Sequence, residues 1–212
     1  MTRLSALFAI ALGALLTGCA SGMTRADCAA ADWAGLGFAD GREGAPEKIS
    51  ESRLRGCESD GYAVDRDAYA AGRAEGLAAY CTAAGGFDAG RLGGEYLGVC
   101  PASAEPAFLT GFEDGAMLHA LIIAEQDAER ERKQAVAALD QHSFLLKAVD
   151  KRAASPTIGS EDREAAREEA AYRRRDVARL EQNLPKLEAA VAAARAEREA
   201  FEATLRASGR IF

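Results

Sequence analysis

Five cysteines and two histidines are the side chains of this 212-residue chain with the greatest potential for chemistry. The cysteines, all before residue 101, are Cys19, Cys28, Cys57, Cys81 and Cys100. A cysteine can carry a lipid, form a disulfide bond or bind a metal ion. No pair has Cys-x-x-Cys spacing, and the intervals of 29, 24 and 19 residues among the last four fit no zinc-site pattern. Disulfide bonds are therefore favoured over a metal site.

Cys19 stands apart because it follows a segment typical of a signal peptide, residues 1–18. The apolar run of residues 4–16 is too short to span a bilayer as a mature helix. It ends in Leu16-Thr17-Gly18-Cys19, which resembles the bacterial lipobox. The resemblance implies cleavage before Cys19 and covalent acyl chains, such as palmitate, on that residue. An ordinary signal peptide with a chance cysteine is the alternative.

The residues after Cys19 bear on localisation. Residues 19–27 form a short lipidated tether, and Ala20 stands where an aspartate commonly retains a Gram-negative lipoprotein in the inner membrane. We therefore expect a protein anchored by its lipid in the cell outer membrane and facing the periplasm. The covalent lipid is the only non-protein group we expect, with no cofactor.

The other four cysteines are even in number and belong to an oxidising compartment, so two disulfide bonds are expected. Three connectivities are possible. A capped helix over about 24–41 and a second over about 46–59 would form an antiparallel hairpin with Cys28 and Cys57 at the same end. We favour Cys28–Cys57 on this ground, and elimination leaves Cys81–Cys100.

A short glycine motif recurs in the same part of the chain. The pattern Gly-x-x-[Asp/Glu]-Gly occurs three times, each copy preceded by an aromatic residue, Trp33, Tyr69 or Phe108. The motif residues are Gly37, Asp40 and Gly41; Gly72, Glu75 and Gly76; and Gly111, Asp114 and Gly115. Glycines four apart share one helical face and allow close backbone approach. We favour close helix packing over a cation or polar-ligand site built from the three acids.

Several short motifs together resemble a known bacterial family. They are Cys28, Trp33, Asp40-Gly41, Cys57, Tyr69-x-x-Gly72-Arg73-x-x-Gly76-Leu77-x-x-Tyr80-Cys81, Gly90-x-x-Gly93, Tyr96-x-Gly98-Val99-Cys100-Pro101 and Phe108-x-x-Gly111. This set resembles the lipoprotein family known as domain-of-unknown-function family 2799, over about residues 28–115. The resemblance implies an envelope lipoprotein and brings no known activity.

Composition divides the chain into two expected domains. Residues 1–116 contain 9 Lys and Arg against 16 Asp and Glu, whereas residues 117–212 contain 17 of each. Of the 21 glycines, 17 lie in residues 19–116. We expect a Cys/Gly-rich helical domain over 28–116 and a helical hairpin over 117–212, with its turn at 155–160. The fold class is thus mainly α: a small disulfide-stapled domain followed by a long, coiled-coil-like antiparallel hairpin.

The hairpin prediction depends on apolar residues at helical spacing. They are Leu118, Leu121, Ile122, Val136, Leu139, Leu146 and Val149 in the first arm, and Leu180, Leu184, Leu187, Val191, Ala194, Phe201 and Leu205 in the second. The steps of the second arm alternate between three and four residues, as in a heptad repeat, with Arg198 as a charged exception. Pro185 is expected to kink or divide that helix.

Charge and missing motifs exclude several function classes. The net charge of −7 argues against nucleic-acid binding, and no phosphate-binding loop or nucleophile elbow occurs. His119 and His142 lie about 34 Å apart along one helix and cannot share a site within one chain. The basic run 173–175 has acidic neighbours, which favours a salt-bridged face over a phosphate-rich ligand such as lipopolysaccharide. We expect no enzyme.

Two non-enzymatic roles remain open, beside a hairpin that packs on itself and only extends or stabilises the domain. In the first, the lipid-anchored protein is a scaffold or adaptor whose hairpin binds an envelope protein or self-associates through residues 117–212. In the second, the Cys/Gly domain binds peptidoglycan or another glycan through a surface of tyrosines, namely Tyr62, Tyr69, Tyr80 and Tyr96.

Overall fold

The computed structural model describes residues 23–210, a stretch that holds seven α-helices and no strand. The helices are α1 (Arg25–Ala29), α2 (Trp33–Arg42), α3 (Glu47–Ser59), α4 (Arg66–Tyr80), α5 (Ala83–Arg91), α6 (Glu105–Ala153) and α7 (Ser160–Ala207). The predicted fold class is confirmed. The predicted signal peptide and the lipidation site Cys19 lie outside the described residues.

The described chain divides into two compact units. The first consists of residues 23–85 and 95–109, and the second of residues 86–94 and 110–210. Helices α5 and α6 therefore each begin in the first unit and continue into the second. The composition boundary at 116/117 falls inside α6, which runs unbroken from Glu105 to Ala153.

The first unit begins with two short helices where the sequence predicted one. Thr24 and Asp27 form a capping box, but α1 ends at Ala29. Asp32 then caps α2 by accepting a hydrogen bond from the backbone N–H of Gly35 at 3.0 Å. The single helix over 24–41 was wrong because a competent N-cap residue inside a sequence restarts the helix there.

The core of the first unit is built around its two disulfide bonds. They join Cys28 to Cys57 and Cys81 to Cys100, the pairs that the sequence favoured. Trp33, Leu54 and Tyr69 complete the core beside the first bond. Near the second bond, Phe108 is fully buried, and its ring lies 4.8 Å from that of Tyr80 and 4.7 Å from that of Tyr96.

The second unit contains the hairpin of α6 and α7, whose turn occupies residues 154–159. Every predicted apolar position of both arms is buried or half-buried. At one end Leu118 packs with Leu205 and with Phe87 of α5, and at the other Val149 packs with Ala166 and Ala170. The apolar positions predicted for both arms therefore lie in the packed seam of the hairpin.

Pro185 does not divide α7. The helix continues from Ser160 to Ala207 with the proline inside it. A proline removes the hydrogen bond to the carbonyl four residues earlier, but its ring here is exposed while Leu184 and Leu187 on either side are half-buried in the seam. The predicted division of the helix was therefore wrong, and the alternative of a kink at Pro185 stays a prediction.

Candidate functional site

The glycine motifs of the first unit form a close crossing of α2 and α4. A Cβ atom on Gly37 would lie 2.1 Å from the carbonyl oxygen of Tyr69, and one on Gly72 would lie 2.0 Å from that of Ala34. A Cβ atom on Gly41 would lie 2.4 Å, and one on Gly76 2.2 Å, from a carbonyl oxygen of the opposite helix. These distances leave no room for any side chain. The packing interpretation of these two motifs is supported by direct backbone contact.

The second unit repeats this crossing between α5 and α6. A Cβ atom on Gly90 would lie 2.2 Å from the carbonyl oxygen of Phe112, and one on Gly115 would lie 2.1 Å from that of Phe87. Gly86, four residues before Gly90, is also buried, so α5 carries a fourth pair of glycines at this spacing. The sequence search missed it because Ala89 stands where the other copies have an acid. The Gly-x-x-x-Gly spacing alone would have found it.

Asp40, the acid of the first motif, is buried and fully engaged within the first unit. Its Oδ2 accepts hydrogen bonds from the Tyr69 hydroxyl at 2.5 Å and the Ser50 hydroxyl at 3.2 Å. Its Oδ1 accepts one from Arg53 at 2.7 Å. Burial, followed by the bond to Asp40, raises the pKa of Tyr69. The carboxylate thus ties α2 to α3 and α4.

Asp114, the acid of the third motif, has a similar role in the second unit. Its two carboxylate oxygens both lie 2.9 Å from Nη1 of Arg210, which follows the end of α7. Glu75 of the second motif is exposed. Each of the two less accessible acids therefore binds an arginine of its own unit. Among the described residues no group of three or more His, Cys, Asp or Glu side chains could hold a metal ion.

Several charged side chains of the hairpin are half-buried, among them Glu125, Glu129, Arg132 and Arg198. Glu125 accepts hydrogen bonds from Arg195 at 2.8 Å and from Arg198 at 2.7 Å. These bonds lower the pKa of Glu125. A hydrogen bond from Arg132 lowers the pKa of Glu129 to about 2. We call these four residues and Arg195 the charged layer.

The histidines and the basic run offer no reactive cluster. His119 lies 3.0 Å through Nδ1 from the carbonyl oxygen of Arg91, at the end of α5. His142 Nδ1 lies 3.7 Å from Asp176 of the facing helix. In the basic run, Arg173 pairs with Glu169 and Arg174 pairs with Asp150. The salt-bridged interpretation of the run is therefore favoured over an anion site.

The four tyrosines that we considered for glycan binding make packing contacts or hydrogen bonds inside the first unit. Tyr69 is 5% exposed and binds Asp40, and Tyr80 packs against Phe108. The hydroxyl of Tyr96 donates to Glu105 at 2.9 Å and accepts from the backbone N–H of Cys100 at 3.2 Å. Tyr62 packs at the edge of the first core. Their main contacts are internal.

One described helix, α6, is long and apolar enough to cross a membrane, judged by length and composition alone. Only 22% of its apolar stretch is buried. Such evidence is weak, because a helix that packs in a protein core can pass the same test of length and composition.

Fold and site define a class of protein: a small helical domain stapled by two disulfide bonds, with glycine crossings and an attached helical hairpin. Residues 32–117 match the family described as "Protein of unknown function (DUF2799)", which confirms the predicted resemblance. The match ends at Met117 and so leaves most of the hairpin outside. No curated protein and no solved structure matches the chain.

Proposed function

We propose that this protein is a lipid-anchored, non-enzymatic scaffold or adaptor of the bacterial envelope. Acyl chains on Cys19 would hold it in the outer membrane, and the hairpin would present a binding surface to a partner in the periplasm. The observation that supports this role is the length of the hairpin. Its second arm alone has 48 residues, which is about 70 Å of helix.

The distribution of burial favours the hairpin over the Cys/Gly domain as the binding element. Only five α7 residues are buried, namely Ala166, Ala170, Asp176, Val191 and Leu205. Most of the surface of that arm therefore faces solvent, far more than packing of the second unit requires. By contrast, the tyrosines and aromatic rings that a glycan site would need are occupied in the first unit. The glycan alternative loses its main support.

The proposed mechanism is avidity. A lipid confines the protein to a surface, which raises its effective concentration for any partner on the same membrane. The charged layer supports this role, because polar residues inside a coiled-coil seam fix the register of the two helices. A fixed register keeps the tip of the hairpin at a constant distance from its base.

The test is a hairpin shortened equally in both arms. Deleting residues 136–149 and 170–183 removes two heptads from each arm and about 21 Å of length, while the seam keeps its phase. In-cell crosslinking, membrane solubilisation and affinity purification would compare this variant with the full chain. We expect a stoichiometric partner of the full chain to be lost. Retention of every partner by a shortened variant of normal helicity would contradict the proposal.

The anchor is tested separately. A variant in which residues 1–19 are replaced by a signal peptide that is cleaved without lipidation should leave the membrane fraction, because the proposed acyl chains would then be absent. Its hairpin is unchanged, so partner binding in detergent extracts should persist while in-cell crosslinking falls. A variant that stays in the membrane fraction would contradict the lipid anchor.

A further inference from the structure

The three methionines of the chain have different surroundings. They are Met1, which falls in the predicted signal peptide, Met23 and Met117. Met117 lies on α6 in the second unit and is 53% exposed. Met23 is half-buried and packs against the core of the first unit. Of the two methionines that the structure describes, Met23 is thus the one whose sulfur belongs to a core.

The sulfur of Met23 lies beside the first disulfide bond, Cys28–Cys57. Its Sδ atom is 3.8 Å from Sγ of Cys57. Cys57 is 1% exposed and Cys28 is 5% exposed, so the bond is almost closed to solvent, and Met23 is one of the side chains that cover it. Met23 precedes Thr24, the N-cap residue of α1. Its side chain can therefore leave the core while α1 stays formed.

Oxidation would change the chemistry of this cover. A peroxide transfers one oxygen atom to Sδ: its O–O bond breaks, an S–O bond forms, the sulfur becomes a sulfoxide and hydrogen peroxide is reduced to water. The sulfoxide oxygen needs a hydrogen-bond donor, which neither a disulfide sulfur nor an apolar side chain such as Leu54 supplies. Burial beside the bond then becomes unfavourable, so the side chain turns to solvent.

We propose that Met23 is an oxidation site that controls access to the first disulfide bond. In the thioether form the side chain covers the bond, and in the sulfoxide form it exposes the bond to thiols. A thiolate then attacks one sulfur, the S–S bond breaks, a mixed disulfide forms and the other cysteine leaves as a thiolate. Half-burial suits this role, because a small peroxide reaches Met23 while a larger thiol does not reach Cys57. The inference depends on neither the proposed anchor nor a hairpin partner.

The test uses the full-length protein in membranes, treated first with hydrogen peroxide and then with dithiothreitol. Differential alkylation and mass spectrometry follow the thiols released from each disulfide bond. We expect peroxide treatment to speed reduction of the first bond at least about tenfold, because reduction of a buried bond follows the population of its open form. The second bond, Cys81–Cys100, should keep its rate. Conversion of Met23 to the sulfoxide without faster reduction would overturn the inference, as would resistance of Met23 to peroxide while Met117 is oxidised.

Two leucine variants are the matched controls. Met23→Leu keeps the size of the side chain but has no sulfur to oxidise, so peroxide should no longer speed reduction of the first bond. Met117→Leu should respond to peroxide as the original protein does. Met23→Gln puts a polar group at this position and should give fast reduction without peroxide. Equal melting temperatures of the leucine variants and the original protein would exclude misfolding as the cause. A full peroxide response in Met23→Leu would contradict the proposed site.

Discussion

Gly72 and Gly56 both lie inside helices of the first unit, but their surroundings differ. A Cβ atom on Gly72 would lie 2.0 Å from a backbone oxygen, whereas one on Gly56 would meet nothing within 4 Å. We expect Gly72→Ala to destabilise the protein by about 2 kcal/mol or more, because two backbones must separate. Gly56→Ala should be neutral or stabilising by up to about 1 kcal/mol, because alanine is the better helix former. Urea unfolding of both variants measures the difference, and equal effects would contradict the crossing.

Single residues were predictable from the sequence where spacing alone carried the signal. Three glycine motifs follow from spacing alone, whereas the disulfide pairs were inferred from a predicted helical hairpin and by elimination. The role of Asp40 does not, because its partners Arg53 and Tyr69 lie 13 and 29 residues away and meet it only in the folded unit. The pair of Asp114 with Arg210 spans 96 residues and was hidden for the same reason.

Glu129, a charged residue in the seam of the hairpin, should make the stability of the protein depend on pH. The pKa of Glu129 is about 2 in the folded protein, below its ordinary value of 4.5. A carboxyl group whose pKa is lowered by folding contributes stability above its unfolded pKa and loses it as pH falls through the folded value. We therefore expect the melting temperature to fall between about pH 5 and pH 2.

Glu129→Gln should flatten this fall, because glutamine does not titrate. Glu131→Gln is the matched control, since Glu131 is exposed and lies two positions further along the same helix. Thermal melting followed by circular dichroism at several pH values measures both variants. Identical pH profiles for the two would show that Glu129 does not contribute.

Elements were predictable where periodicity was long and strong. Fourteen heptad-like positions over two arms identified the hairpin, and its turn begins within one residue of the expected place. The break between α1 and α2 was not predicted, because one N-cap residue such as Asp32 competes locally with helix propensity. A division of α7 at Pro185 was wrong, because the helix continues through the proline, whereas the kink that the sequence also allowed stays a prediction.

The two compact units interleave along the chain, which composition did not predict. Composition changes near residue 116, but α5 packs against α6 through glycines, so residues 86–94 join the second unit. The change in composition reflects the alanine, glutamate and arginine of the hairpin, whereas the crossing of α5 and α6 depends on single glycines such as Gly90 and Gly115. Helix α6 consequently takes part in the second crossing, the pair of Asp114 with Arg210 and the seam of the hairpin.

Because α6 takes part in all of these contacts, the two arms of the hairpin must match in length. Duplicating residues 136–149 and 170–183 together adds two heptads to each arm, which keeps the seam phase and the ends of both arms opposite each other. Duplicating only 170–183 displaces the end of α7 by about 21 Å relative to α6. Leu205, which is fully buried, and Arg210 would then lose their contacts. We expect the matched variant to melt close to the original protein and the unmatched one to lose about 2–5 kcal/mol, as for truncation of a buried leucine. Equal stability of the two would mean that the base of the hairpin does not depend on register, and the hairpin could not then act as an arm of fixed length.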